Sequence, residues 1–342
     1  MKARKLTWVA VPVFAGALAF VGAGSGQTDG SSSNAAAFTA AIVTDTAGLN
    51  DRSFNHLANV GRLRAQKLLK IKTRAFLSKS TSDYLPNMVA AASQGYKAVV
   101  ANGFLLSDSM NTAAQQFTQT KWAIVDFPWA ALKDKPANAT GLTFKSEQSG
   151  YLVGYLSGLM VKKQGGPKVV SAVGGQKLPS VDNWIAGYRA GALKALPGIE
   201  VLIDYSGAFP PSAAPKCKEI ALNQIARGSQ VVFQVAGGCG LGALDAAKEK
   251  RKWGIGVDAD QSYLGSHILT SGTKFVDVAV FRFIRSVKNG TFKGGRDTVF
   301  NLKNGGQGVG KISKKVPKSF IARMNKIKKQ IIAGKIKPPD KL

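Results

Sequence analysis

Histidine is nearly absent: His56 and His267 are the only two in 342 residues. Cysteine is equally scarce, with Cys217 and Cys239 alone. A zinc site or a nucleophilic triad needs several such side chains in recognisable order. No G-x-S-x-G, H-E-x-x-H or clustered Cys/His pattern occurs. Neither a nucleophilic triad nor a metal or cofactor site therefore has good candidates, each histidine is expected at the surface or in packing, and carboxylate-pair hydrolysis stays open without a marker. Acids are few as well, 19 against 47 Lys and Arg, for a net charge of +28. Beyond the N-terminal segment no long apolar run exists, so no spanning helix is expected there.

What is present begins with a leader. Residues 1–23 read as a signal peptide: the positive "MKARK", the apolar "LTWVAVPVFAGALAFVGA", then small residues Val21 and Ala23 before Gly24. A retained anchor is the alternative, which Pro12 and the Gly/Ala content disfavour. Residues 24–36, "GSGQTDGSSSNAA", read as a flexible linker. No cysteine lies near the leader, so no lipobox attachment is expected. Export places the mature chain outside the cytoplasm, away from ATP and NAD pools and in an oxidising compartment.

Short apolar runs alternate with amphipathic segments over the rest. Strand candidates are 39–43, 73–77, 97–101, 121–125, 141–144, 168–173, 200–205, 230–236 and 253–258, with weaker ones at 267–271 and 298–302. Such alternation predicts an α/β fold of mostly parallel sheets flanked by helices, and the roughly 310 residues left after the leader suggest two lobes. Ligands of such folds bind at the carboxyl ends of the strands. There the chain places "TDTAGLNDRSFN", "NGFLLSD", "DFPWA", "GGQKLPSVDNW", "SGAFPPS", "GGCGLG" and "DADQS". Acids, amides, glycines and aromatics recur, the profile of a site for a hydroxyl-rich ligand with a flat face.

Two glycine-rich stretches invite nucleotide readings. "VVFQVAGGCGLGALDAAKEK" has G-x-G-x-G spacing rather than G-x-G-x-x-G. It is read as a tight strand-to-helix turn that brings backbone amides near a ligand. "GGQGVGK" at 305–311 has Ile312 where a P-loop needs Ser or Thr, and is read as a glycine turn. Cys217 opens a helix and Cys239 follows the next strand, on one edge of a βαβ unit. A bridge closing about 22 residues or two free buried thiols would both fit, and export favours the bridge. The tail from Lys311 to Leu342 holds eleven Lys or Arg and one acid. It reads as a solvated helix with Phe320, Met324, Ile327 and Ile331 as its buried stripe, or else as a patch for a polyanion.

The segments "TDTAGLNDRSFN", "AIVD", "GYLVGYLSG", "AGYRAGA", "YSGAF", "VVFQVAGGCGLGALDAAK", "GVDADQ" and "LTSGTKFVDVAV" resemble the basic membrane protein, or PnrA-like, family of solute-binding proteins, from about Ala37 to Pro338. The resemblance implies a type I periplasmic-binding fold with a ligand cleft between lobes, and a nucleoside, mostly purine, delivered to an ABC transporter permease. The implied lobes are 37–143 plus 261–290, and 144–260 plus 291–342 with the basic tail. The implied ligand-binding residues are Asp45, Phe54, Asn55, Asp126, Phe209, Gly238, Asp258 and Lys274. Phe54 and Phe209 would stack on the base, Gly238 would bring its backbone to the ligand, and Asp258 and Lys274 would take the ribose. Asp51 reads instead as a helix cap. The turn after Phe209, "PPSAAPKC", lacks the acid the family often has there.

The expectation is thus a monomeric, exported nucleoside-binding protein, with no nucleic-acid partner and room for peripheral contact with an anionic envelope surface. Free sugar or polyol binding by the same fold is the first alternative. A polyanion-binding or adhesion protein using the tail is the second.

Overall fold

The computed structural model of the protein describes residues 37–342; the leader and linker expected over 1–36 lie outside the described residues. In the first lobe β1 (Thr39–Thr44), β2 (Lys72–Phe76), β3 (Ala98–Asn102), β4 (Lys121–Val125) and β5 (Ala139–Phe144) alternate with α1 (Phe54–Leu69), α2 (Tyr84–Ser93) and α3 (Ser107–Gln116). The chain then enters α4 (Ser146–Gln164). The second lobe runs through β6 (Val169–Gly174), α5 (Pro179–Ala195), β7 (Glu200–Tyr205), α6 (Ala214–Ala226), β8 (Val231–Val235), α7 (Gly240–Glu249), β9 (Trp253–Asp258) and β10 (Ile268–Lys274). Last come α8 (Val276–Lys288), β11 (Arg296–Phe300), β12 (Gln307–Val309) and α9 (Lys318–Ile332).

Two six-stranded sheets result, ordered β11-β5-β4-β3-β1-β2 and β12-β10-β9-β8-β6-β7. Among the described strands only β12 runs antiparallel to its neighbour. Central strands such as β3 and β8 are buried at every position. Helices cover both faces, so these strands carry unbroken apolar runs rather than an alternation.

The lobe boundaries differ from the sequence expectation. Ser271 of β10 pairs with Gly256 of β9, so residues 268–274, expected in the first lobe, lie in the second sheet. Asp297 of β11 pairs with Gly141 of β5, so 296–300, expected in the second lobe, lie in the first. A strand belongs to the sheet whose edge it bonds to, and a weak apolar run bears no mark of that edge. The three crossings fall after Phe144, Lys274 and Phe300, and they are bonded side by side. Lys145 N–H donates to the Phe300 carbonyl at 2.8 Å, Phe275 N–H to the Gly306 carbonyl at 3.1 Å, and the Phe144 and Phe300 rings stack at 4.9 Å.

The sheets correspond strand for strand. β4 and the residue after it read "KWAIVD" (121–126), and β9 with the residue before it reads "KWGIGVD" (252–258), in equivalent places. Asp126 and Asp258 both hold left-handed backbone, φ 64° and 62°.

Helix α4 is buried from Ser146 to Val161 except at the half-buried Gln148. It crosses α5 so closely that a methyl group at Gly154 would overlap the Tyr188 carbonyl. The basic tail is part of the second lobe: Met324, Ile327 and Ile331 are buried in its core with Phe320 packed beside them, and the lysines face out. Replacing Gly154 by Val should cost about 3 kcal/mol or more, because neither backbone can retreat. Calorimetry should show a lowered Tm for Gly154→Val and none for Ala322→Val on the exposed face of α9.

Candidate functional site

The carboxyl ends of the two sheets face each other across a cavity between the lobes, the place where such folds bind their ligands. The first lobe lines it with Asp45 after β1, Phe54 at the start of α1, Phe104 after β3 and Asp126 after β4. The second lobe adds Val181 and Trp184 of α5, Phe209 after β7, Gly237 after β8, and Asp258 and Lys274 at the ends of β9 and β10.

Lys274 is the centre of the arrangement. Its Nζ lies 2.6 Å from Asp126 Oδ2 across the cleft and 3.5 Å from Asp258 Oδ1 in its own lobe. All three side chains are less than a tenth exposed. Burial alone would lower the Lys274 pKa; the two carboxylates outweigh it and raise the pKa, so the ammonium stays charged. The rings of Phe54 and Phe144 lie 4.8 and 5.5 Å from the same nitrogen, adding cation–π attraction.

Asp45 sits deeper. Its Oδ1 accepts from Ala47 N–H at 2.9 Å and from Asn55 Nδ2 at 2.6 Å, and Asn55 Oδ1 accepts from Asn102 Nδ2 at 2.7 Å. Burial pushes the Asp45 carboxyl above its ordinary range against these bonds. Asn55, expected at the ligand, instead stands behind Asp45 and orients it.

Asp51 is the helix cap the sequence indicated. Its carboxylate accepts from the backbone N–H groups of Ser53, Asn55 and His56 at 3.1, 2.7 and 3.0 Å, satisfying donors that the first turn of α1 leaves open. Burial nevertheless lifts its pKa from 3.8 to about 6.

Gly238 is where the structure departs from expectation. A side chain there would strike Pro211, so this glycine admits the proline-rich turn and does not line the cavity. Gly237, with φ 55°, takes the cavity wall. The turn after Phe209 is firmly held: Cys239 N–H donates to the Phe209 carbonyl at 2.9 Å, and Cys217 and Cys239 form a disulfide spanning 22 residues. Such a bridge contributes about 3 kcal/mol. It ties the start of α6 to the start of α7 beside the aromatic loop.

Trp184 lines the cavity without having been anticipated, although it ends the strand-end stretch "GGQKLPSVDNW". Ser53 was missed too: its hydroxyl spans the lobes, 3.0 Å from both the Val257 carbonyl and Asp258 Oδ2. A local spacing rule cannot find a bond between residues two hundred positions apart. The repeated strand that opens on Lys-Trp and closes on Asp was the available signal that Asp126 and Asp258 are a pair.

The Asp51 shift has a definite sign. Its folded pKa lies above the unfolded one, so the stability it contributes is fully present below pH 3.8 and lost as pH rises through about 6. In thermal melts, the Tm difference between wild type and Asp51→Asn should move in favour of the wild type as pH falls through 6. Above pH 7 the difference should be flat.

Comparison with known proteins places this geometry. The family described as "ABC transporter substrate-binding protein PnrA-like" matches residues 38–341. The ABC transporter nucleoside-binding protein BmpA of Lactococcus lactis is 36% identical over 88% of this chain and 89% of its own. A CD4+ T-cell-stimulating antigen of Listeria monocytogenes is 31% identical over 89% of this chain and 88% of its own. Among solved structures, a solute-binding protein of an ABC transporter system from Aeropyrum pernix superposes with TM-score 0.80 over 88% of this chain and 94% of its own, at 24% identity. One from Conexibacter woesei gives 0.69 over 89% and 99%, at 25% identity. The type I periplasmic-binding fold anticipated from the sequence is the fold observed.

Proposed function

Because the chain belongs to the PnrA-like family of ABC transporter substrate-binding proteins, it is a solute-binding protein and not an enzyme, and we propose that its solute is a nucleoside, with purine nucleosides preferred, captured between the lobes and handed to an ABC transporter permease. The carrying observation is the composition of one cavity: Phe54 and Phe209 as flat apolar walls, with Asp45, Asp51, Asp126, Asp258 and Lys274 as its charged groups. The nucleoside named for the Lactococcus lactis relative supports the same reading.

Each group has a role that follows from its chemistry. An aromatic ring offers a base about 1–3 kcal/mol of stacking whatever its edge pattern. Carboxylates accept from vicinal hydroxyls through charge-assisted bonds, and the lysine donates to the same sugar. Asp45, held by Asn55 through one oxygen, has the other to accept from a donor on the base edge. Closure of the two lobes about the crossings would sequester the ligand. The cavity is complete within one chain, which supports action as a monomer. The family acts outside the cytoplasm, and no described helix is long and apolar enough to cross a membrane.

Calorimetry against nucleosides, free bases and free sugars tests the reading. A nucleoside should bind best, and a panel in which only free sugars bind would overturn it. Asp258→Ala should cost about 2 kcal/mol or more of nucleoside affinity, because sugar hydroxyls lose a charged acceptor. Phe209→Ala should cost about 1–3 kcal/mol for a nucleoside and little for ribose alone.

A further inference from the structure

Ser53 occupies the N-cap position of α1 yet makes no capping bond with its side chain. At that position a serine hydroxyl ordinarily accepts from the N–H groups of the first turn. Here Asp51 has taken those donors, and the N–H of Ser53 itself. The hydroxyl is thereby released from local duty. It is fully buried and points across the cleft, 3.0 Å from Asp258 Oδ2 and 3.0 Å from the Val257 carbonyl. Its single proton serves one of the two acceptors at a time.

Asp258 needs such support. Its backbone lies in the left-handed region, where an aspartate is held only by its surroundings. Its Oδ1 accepts no hydrogen bond and faces Lys274 at 3.5 Å. A bond from Ser53 to Oδ2 fixes the carboxylate plane and leaves Oδ1 turned toward Lys274 and the cavity. Ser53 belongs to the first lobe and Asp258 to the second, so the bond exists only when the lobes are together. Ser53 does not itself line the cavity.

We infer that Ser53 is a positioning residue that couples lobe closure to the presentation of Asp258: closing the cleft orients the carboxylate, and the oriented carboxylate prolongs the closed, loaded state. The inference rests on the nucleoside reading above for its ligand, but its conformational half does not. A ligand entering the open cleft meets no Ser53–Asp258 bond, so association is insensitive to it. Dissociation requires breaking it. Removing a hydrogen bond to a buried charge corresponds to roughly ten-fold or more in the dissociation constant.

The test uses the mature protein, Ser53→Ala, and inosine as probe, with stopped-flow kinetics and small-angle scattering. Ser53→Ala should raise the dissociation rate about ten-fold, change the association rate far less, and leave the far-ultraviolet circular dichroism unchanged, since the hydroxyl does not cap α1. Ligand-free Ser53→Ala should also show a larger radius of gyration than the wild type, a readout that needs no ligand. In an Asp258→Ala background the Ser53 substitution should have no further effect on dissociation. An unchanged dissociation rate in Ser53→Ala, while Asp258→Ala weakens binding, would overturn the role of Ser53 and leave the nucleoside reading intact. If inosine and every other nucleoside fail to bind, that reading falls, and the scattering comparison alone decides whether Ser53 holds the lobes together. Restored slow dissociation in Ser53→Thr, which keeps a hydroxyl, would support the inference further.

Discussion

Lys274 places a full positive charge in a space that water has largely left, and much of the site follows from how that charge is kept. Moving an ammonium out of water costs several kcal/mol unless opposite charge is close and fixed. Asp126 provides it from the first lobe and Asp258 from the second. Both carboxylates stand on backbone in a sparsely populated conformation, at about 1–3 kcal/mol each. The pair therefore cannot be explained as a device for stability alone. It sets polar groups of both lobes a few ångströms apart at the mouth of two strands. A ligand that exchanges with these contacts is bound to both lobes at once.

The fold was readable because its determinants are local. Apolar runs bounded by polar turns marked most strands within a residue or two, and the segments that carry the family resemblance supplied Asp45, Phe54, Asp126, Phe209, Asp258 and Lys274, all of which line one cavity. What was not readable depends on distant partners. The assignment of β10 and β11 to lobes depends on which edge each bonds to. "GGQGVGK", read as a turn, contributes the short strand β12 because β10 offers it a free edge. Gly238 looked like a contact to ligand because a missing side chain signals close approach without saying to what, and the approaching group is Pro211.

The charge imbalance also resolves locally. The lysines of α9 surround a buried stripe of Met324, Ile327 and Ile331, and the tail closes the core of the second lobe. The acids are too few to balance the surface, yet four of the 19 line or face the same cavity as Asp45, Asp51, Asp126 and Asp258. Their concentration there is a property of the strand ends, and the net charge of the chain gives no hint of it.

The three crossings lie against one another, joined by backbone bonds at Lys145 and Phe275 and by the stacked rings of Phe144 and Phe300. Mechanical compliance is thereby concentrated in one narrow strip. Elsewhere each lobe is stiff, and the second is especially so, where α4 and α5 touch backbone to backbone at Gly154. Close-packed interiors transmit strain instead of absorbing it. A torque applied at the cavity rim is therefore delivered to the strip nearly undiminished, and the molecule behaves as two levers on a short common pivot.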